Sequence, residues 1–269
     1  MLARRAALVL ALAILAAGPA RAAEPVTLYM QGWWGGLKGA DIQFTIDEEN
    51  GGWQSRFAIR GAGMVRWLTK LEAEAGGHGK LGPGGDQPDS YTQHVVSNKS
   101  ERTVELAFRG DPPTGSRISD RETYIDPTQQ ARDPENVPDL PEAQRRDTMD
   151  PIAAILSLGH RAVTGDKHFT LPVYDGRRRF DLEVTVTGPN HHGLLGTQTN
   201  TIDAVAIVHP IGGFKPYHMK LWTNAKFDVY LDPNRGLPLQ ISSSSFIAAA
   251  VLTTKAVCPG QTSCIPADK

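Results

Sequence analysis

Cysteine is nearly absent. Cys258 and Cys264, in CPGQTSC near the C-terminus, are the only two in 269 residues. A redox-active pair shows Cys-x-x-Cys at a helix N-terminus, and this spacing and place do not match. In an oxidising compartment the two read as one structural disulfide, which for so short a loop contributes roughly 2 kcal/mol. An excess of positive charge is missing too: 28 Lys and Arg stand against 29 Asp and Glu. Nucleic acid, which calls for a basic face, is therefore not an expected partner. Beyond the first 22 residues no apolar run is long enough to cross a bilayer, which takes about 20 residues; Phe246–Leu252 is only strand-sized.

Catalytic signatures are lacking as well. The chain has no Gly-x-Ser-x-Gly elbow, no Ser-x-x-Lys and no Gly-x-x-x-x-Gly-Lys loop. Eight histidines are scattered, and only His191 and His192 adjoin. Neighbours on a strand point opposite ways, so they make a poor metal pair. The expectation is a non-enzyme with neither metal nor cofactor.

What is present begins with an export signal. Arg4 and Arg5 precede an apolar run from Ala6 to Ala17, and Ala20-Arg21-Ala22 supplies small residues at the cleavage positions. Cutting after Ala22 leaves 25 basic against 29 acidic residues, a net charge of −4, and no Cys at the cut for a lipid anchor. An exported periplasmic protein is expected. The rest, 23–269, reads as a single β-rich domain with a long polar loop at about 125–148.

Period-two alternation dominates that domain. In ADIQFTIDEENGGWQSRFAIRG, Asn50-Gly51 is a type I′ turn pair. It sets Phe44 across from Phe57 and Ile42 across from Ile59, with Thr45–Arg56 and Asp41–Arg60 on the other face. In VYDGRRRFDLEVTVTG, a two-residue turn at Asp175-Gly176 puts Tyr174 opposite Arg177, Leu171 opposite Phe180 and Phe169 opposite Leu182. A strand splits consecutive arginines between its faces, so Arg177-Arg178-Arg179 cannot form one phosphate fork. Arg177 and Arg179 join acidic neighbours, and Arg178 alone faces the apolar side at the sheet's mouth.

One segment breaks the pattern. In DTMDPIAAILSLGHRA, Asp150 is an N-cap, Pro151 opens a helix, Ile152, Ile155 and Leu156 form an apolar stripe, and Gly159 sits where a C-terminal cap would. Gly63–Lys70 reads as helix or strand with nearly equal ease. GGHGKLGPGGDQPDS and GPNHHGLLGTQTNT read as long loops. YMQGWWGGLKGADIQF combines Trp33 and Trp34 with four glycines, the mark of bulges in a curved sheet or of an aromatic groove wall.

The helix opening Asp-Pro, the YDGRRRFDL hairpin and the Asp-x-x-Arg-x-x-Pro-Leu-x-Ile strand at Asp232–Ile241 together resemble a family of exported Gram-negative proteins catalogued only as a domain of unknown function. The resemblance implies a mainly β fold: a large, strongly curved antiparallel sheet, a half-barrel or open barrel, with one or two short helices. It is similar to the half-barrel of the periplasmic lipoprotein carrier, where a helix plugs an apolar concavity. The expected function is binding or carriage of an apolar ligand, a lipid or lipoprotein acyl chain. Phe44, Phe57, Phe169, Leu171, Phe180, Leu182, Ile152, Ile155 and Leu156 would line the concavity, with Arg178 at its rim. The alternative is an envelope scaffold or interaction module with a fully packed core, whose partners are other envelope proteins.

Overall fold

The computed structural model describes residues 24–82, 86–111, 113–125, 139–246 and 248–260. The expected export signal, Cys264 and residues 126–138 lie outside them, and with Cys264 the expected disulfide. Alternation builds thirteen strands: β1 Val26–Trp34, β2 Leu37–Glu49, β3 Gly52–Gly61, β4 Glu72–Lys80, β5 Gln87–Val96, β6 Ser100–Arg109 and β7 Thr114–Tyr124 form the first run. The second is β8 His168–Tyr174, β9 Arg179–Leu194, β10 Thr197–Gly212, β11 Lys226–Leu231, β12 Pro238–Ser243 and β13 Ala250–Pro259. All belong to one antiparallel sheet in the order β7-β6-β5-β4-β3-β2-β1-β13-β12-β11-β10-β9-β8. Consecutive strands are neighbours throughout, and β1 pairs with β13 to join the two runs.

The sheet curls into a nearly closed barrel. Because it holds an odd number of alternating strands, its edges β7 and β8 run the same way, and no strand ladder joins them. The chain just before the long helix fills that seam. Arg146 bridges to Thr114 of β7, and Met149 bridges to Val173 of β8. The Met149 N–H donates to the Pro172 carbonyl at 2.8 Å, and the Tyr174 N–H to the Met149 carbonyl at 2.9 Å.

Among the described residues four helices accompany the sheet: α1 Gly63–Thr69, α2 Glu142–Arg145, α3 Pro151–Thr164 and α4 Pro216–Trp222. Helix α2 sits in the described part of the polar 125–148 segment. Helix α3 is the plug. Its cap is Asp150, whose Oδ1 accepts from the N–H groups of Ile152 at 2.8 Å and Ala153 at 3.0 Å. It is buried on more than one stripe, with Ala153, Ala154, Ser157, Leu158 and Ala162 inside as well as Ile152 and Leu156. Gly159 does not end it. The helix runs on to a left-handed Gly165, φ 101°, and Gly159 instead gives close passage to the turn at Gly236.

Two apolar clusters pack around α3. One gathers Leu28, Met30, Phe44, Ile46, Leu106 and Ile152; the other gathers Leu158, Phe169, Leu171, Val184, Val229 and Leu231.

The Asn50-Gly51 hairpin has the expected register, Phe44 opposite Phe57 and Asp41 opposite Arg60. The second hairpin is shifted by two. Tyr174 pairs with Arg179 and Leu171 with Leu182, which preserves the faces. The reason is Asp175: its Oδ1 accepts from the N–H groups of Arg177 at 3.0 Å and Arg178 at 2.7 Å, widening the turn to four residues. Two expected loops are mostly strand. Residues 76–90 belong largely to β4 and β5. Residues 188–201 extend the β9–β10 hairpin to a tight turn at Leu195 and Gly196, φ 54° and 79°. Conversely, β13 starts at Ala250, so the run from Phe246 is only partly strand.

Candidate functional site: an apolar cavity at one barrel mouth

Inward positions on neighbouring strands converge above the N-terminus of α3. Phe57 and Ile59 on β3, Ala73 and Ala75 on β4, and Tyr91 and Gln93 on β5 form one wall of a cavity of about 290 Å³. Pro151, Ile152 and Ile155 of α3 form its floor. Phe180 of β9, Phe214 and Trp222 close the far side, and Glu74, Asp175 and Arg178 supply polar groups. Barrel mouths and few convergent polar groups are common features of small-molecule sites, whose volumes run from about 300 to 1,000 Å³.

The sequence-derived site residues divide. Phe57, Phe180, Ile152, Ile155 and Arg178 line this cavity. Phe44 is buried beneath it, edge-on to Phe57 with centroids 5.4 Å apart. Leu156 is packed in the first cluster; Phe169 and Leu171 are buried in the second, and Leu182 packs against it. Phe44, Phe169, Leu171 and Leu182 hold the wall rather than line the space, because α3, which carries Leu156, already fills the barrel at their level. Ile59, Tyr91, Phe214 and Trp222 are additional lining residues. Ile59 shares the face of Phe57 and was readable from the hairpin. Phe214 and Trp222 arrive from the β10–β11 connection, which carries no periodic signal.

The three arginines have separate partners. Arg178 closes on Asp175, Nη2 to Oδ2 at 2.7 Å, with its guanidinium 5.8 Å from the Phe214 ring centre. Arg179 binds Asp181 at 2.6 Å. Arg177 crosses the seam to β7, 3.3 Å from Glu122 and 3.8 Å from Asp120. Asp120 also takes a two-point contact from Arg102, Nε at 2.9 Å and Nη2 at 3.1 Å, and one from Arg117 at 3.2 Å. Burial works to raise the Asp120 carboxyl, but the Arg102 hydrogen bonds and the surrounding guanidinium charges outweigh it and hold the pKa low. Gly176 is part of the same closure. A Cβ there would meet Val104 Cγ1 at 2.6 Å, so the turn presses on the inner face of β6.

Below the cavity, α3 carries a polar network. His160 Nδ1 lies 3.0 Å from Asp86 and Nε2 lies 2.8 Å from Glu48. The hydrogen bonds to Asp86 and then Glu48 push its pKa up to about 10, against the effect of burial. Ser157 Oγ accepts the Asp86 N–H at 2.7 Å. The network ties α3 to β2 through Glu48 and to the segment just before β5 through Asp86.

His191 and His192 lie on β9, not in a loop. His192 binds Asp203 at 2.8 Å and stacks on Tyr230 at 3.8 Å; His191 pairs with Asn200 at 2.7 Å. Among the described residues no group of three or more His, Cys, Asp and Glu is placed to hold a metal ion, and no helix is long and apolar enough to cross a membrane.

Fold and site together define a nearly closed antiparallel β-barrel with an internal helix and an apolar cavity at one mouth. The family described as "Protein of unknown function (DUF3108)" matches residues 27–253, and the chain belongs to it. No curated protein sequence matches. A solved structure of a β-barrel-like protein of domain of unknown function DUF1849 from Brucella abortus is similar in fold, with a TM-score of 0.56 at 10% identity over 89% of this chain and 99% of that one. A "putative lipoprotein" from Parabacteroides distasonis aligns over 88% of this chain and 96% of its own, at 6% identity and a TM-score of 0.35.

Proposed function

We propose that the protein is a non-enzymatic, periplasmic binder or carrier of an apolar ligand, a lipid or a lipoprotein acyl chain. The observation that carries this reading is the cavity itself: an apolar space between α3 and the barrel wall, with Arg178 and Asp175 at its edge. An acyl chain would lie against Phe57, Ile59, Ile155 and Phe180. The Arg178 side chain, 38% exposed, would offer its open side to an anionic headgroup while Asp175 holds the other. The export signal expected from the sequence of the first 22 residues supports the compartment.

The test is uptake of a fluorescent fatty acid by the purified protein, with native mass spectrometry beside it. Ala75→Phe fills the space without adding charge, and Phe180→Asp makes it polar; both are expected to abolish uptake. Unchanged uptake in folded variants would overturn the site. A packed scaffold is the second reading, favoured by the two clusters that fill the rest of the barrel. Absence of uptake and of any lipid-mass adduct would select it.

A further inference from the structure

The exposed apolar side chains are unevenly placed. In this antiparallel sheet the turn at 34–37, α1 after β3, α4 after β10 and the 244–249 connection all leave from the same rim of the barrel. The exposed aromatics among the described residues, Trp34 at 55%, Trp67 at 80% and Tyr217 at 65%, are all on that rim. Leu37, Met64 and Leu68 are exposed beside them.

Helix α1 shows the oddity most clearly. Met64, Trp67 and Leu68 stand at i, i+3 and i+4, the stripe that a helix of a globular protein turns to its core. Here the stripe faces outward, and none of the seven helical residues is buried. Val65 instead takes the inner contact, 3.5 Å from where a Cβ of Gly39 would stand. The 34–37 hairpin tip repeats the pattern, with Trp34 and Leu37 flanking two left-handed glycines where tips are normally polar.

Charge is interleaved with these tips. Arg66 and Lys70 flank the α1 stripe, Lys220 lies on α4, and none of the three has an ion-pair partner among the described residues; Glu72 is the acidic group sharing the α1 groove. Projecting aromatics amid unpaired cations match a membrane–water interface, where amphipathic rings settle at headgroup depth and Lys and Arg meet phosphate.

We propose that this rim docks on the surface of a phospholipid bilayer bearing anionic headgroups. Trp67, Met64, Leu68, Trp34 and Leu37 enter the interface, and Arg66, Lys70 and Lys220 lie against phosphate. The rim is continuous with the cavity mouth. A groove of about 340 Å³ holds Trp34 and Phe227 in its walls; Phe227 stacks on Trp222 at 6.2 Å, and Trp222 lines the cavity. Docking stands independently of whether the cavity is filled.

The experiment is co-flotation of the protein with vesicles of phosphatidylethanolamine and phosphatidylglycerol, against vesicles of phosphatidylcholine alone. The protein is expected to float with the anionic vesicles, with tryptophan emission shifting to the blue and quenched by brominated acyl chains. Trp67→Glu is expected to cut partitioning by about tenfold or more, as loss of an interfacial anchor requires. The double variant Arg66→Glu, Lys70→Glu should abolish the preference for anionic vesicles, while Leu195→Glu at the opposite end changes nothing. Fatty-acid uptake in solution should survive Trp67→Glu, separating this proposal from the ligand reading. No flotation of the unaltered protein would overturn it, as would equal loss in Trp67→Glu and Leu195→Glu. Concentration-dependent dimers abolished by Trp67→Glu, without vesicle binding, would overturn it in favour of a second copy of the chain.

Discussion

Gly159 of α3 and Gly236 of the β11–β12 turn meet backbone to backbone: a Cβ on Gly159 would run into the Gly236 carbonyl. That turn is itself fixed, since Asp232 Oδ1 accepts from the N–H groups of Asn234 at 3.0 Å and Arg235 at 2.8 Å. Alanine is the better helix former by about 1 kcal/mol, but the clash dominates. Gly159→Ala is expected to destabilise the protein by about 2 kcal/mol net, measured by urea unfolding. Gly193→Ala, which would touch nothing within 4 Å, serves as the neutral control.

His160 makes stability depend on alkaline pH. Its folded pKa, about 10, lies above the ordinary 6.5 because Asp86 and Glu48 bind its charged form. A raised pKa means the contribution is fully present below 6.5 and is lost as pH rises toward 10. Glu48 is shifted the other way: burial tends to raise it, but His160 wins and the net shift is down, so its share disappears as pH falls below 4.5. The stability gap between the unaltered protein and His160→Gln should be widest near pH 6 and shrink toward both extremes. A gap independent of pH would contradict the ion-pair role.

Asp150 acts with the opposite consequence at neutral pH. Burial lifts its carboxyl to about 7, opposed by the N–H groups of Ala153, Ile152 and Asp150 itself, and Oδ2 has no partner. Its stabilising share is full below 3.8 and lost as pH climbs through 7. Asp150→Asn keeps an acceptor for the cap and removes the ionisation. Its stability relative to the unaltered protein is expected to improve steadily from pH 4 to pH 8. Asp150→Ala, which loses the cap, should cost about 1–2 kcal/mol at acidic pH.

Asp120 is the junction of the seam. Replacing it with Asn removes the charge faced by Arg102, Arg117 and Arg177. The expected loss is about 3 kcal/mol, in the range for breaking one side of a largely buried pair. A double-mutant cycle with Arg177→Met should show coupling, whereas one with Arg179→Met, which pairs with Asp181, should be additive.

Much of the wall was legible because turn chemistry and alternation agree locally. Asn50-Gly51 has only one comfortable conformation, so the β2–β3 register followed from it. The Asp175 hairpin was legible in its faces but not its register, because a side chain, not the backbone pair, sets the turn. In sequence the far β9–β10 hairpin reads as loop because residues 188–201 have no apolar face to alternate. Beyond the barrel it is stabilised by polar pairs such as His191–Asn200 and by the His192–Tyr230 stack, which no periodicity announces. The cavity was half legible. Residues on the hairpins and plug could be named from pattern, whereas Phe214 and Trp222 reach it only through tertiary folding, and Phe169 and Leu171 fell one layer too deep.

The odd strand count has a mechanical consequence. A cylinder with an even number of alternating strands can be laced all the way round; this one is a strip whose two long margins are buttoned by Met149, Arg177 and Asp120. Parting the margins breaks a few backbone contacts and a charge cluster but leaves every rung elsewhere intact. The buttons lie immediately before the plug, on β7 and on the turn that borders the cavity. Strain from an oversized guest would therefore be relieved at one line, as a seam opens before cloth tears.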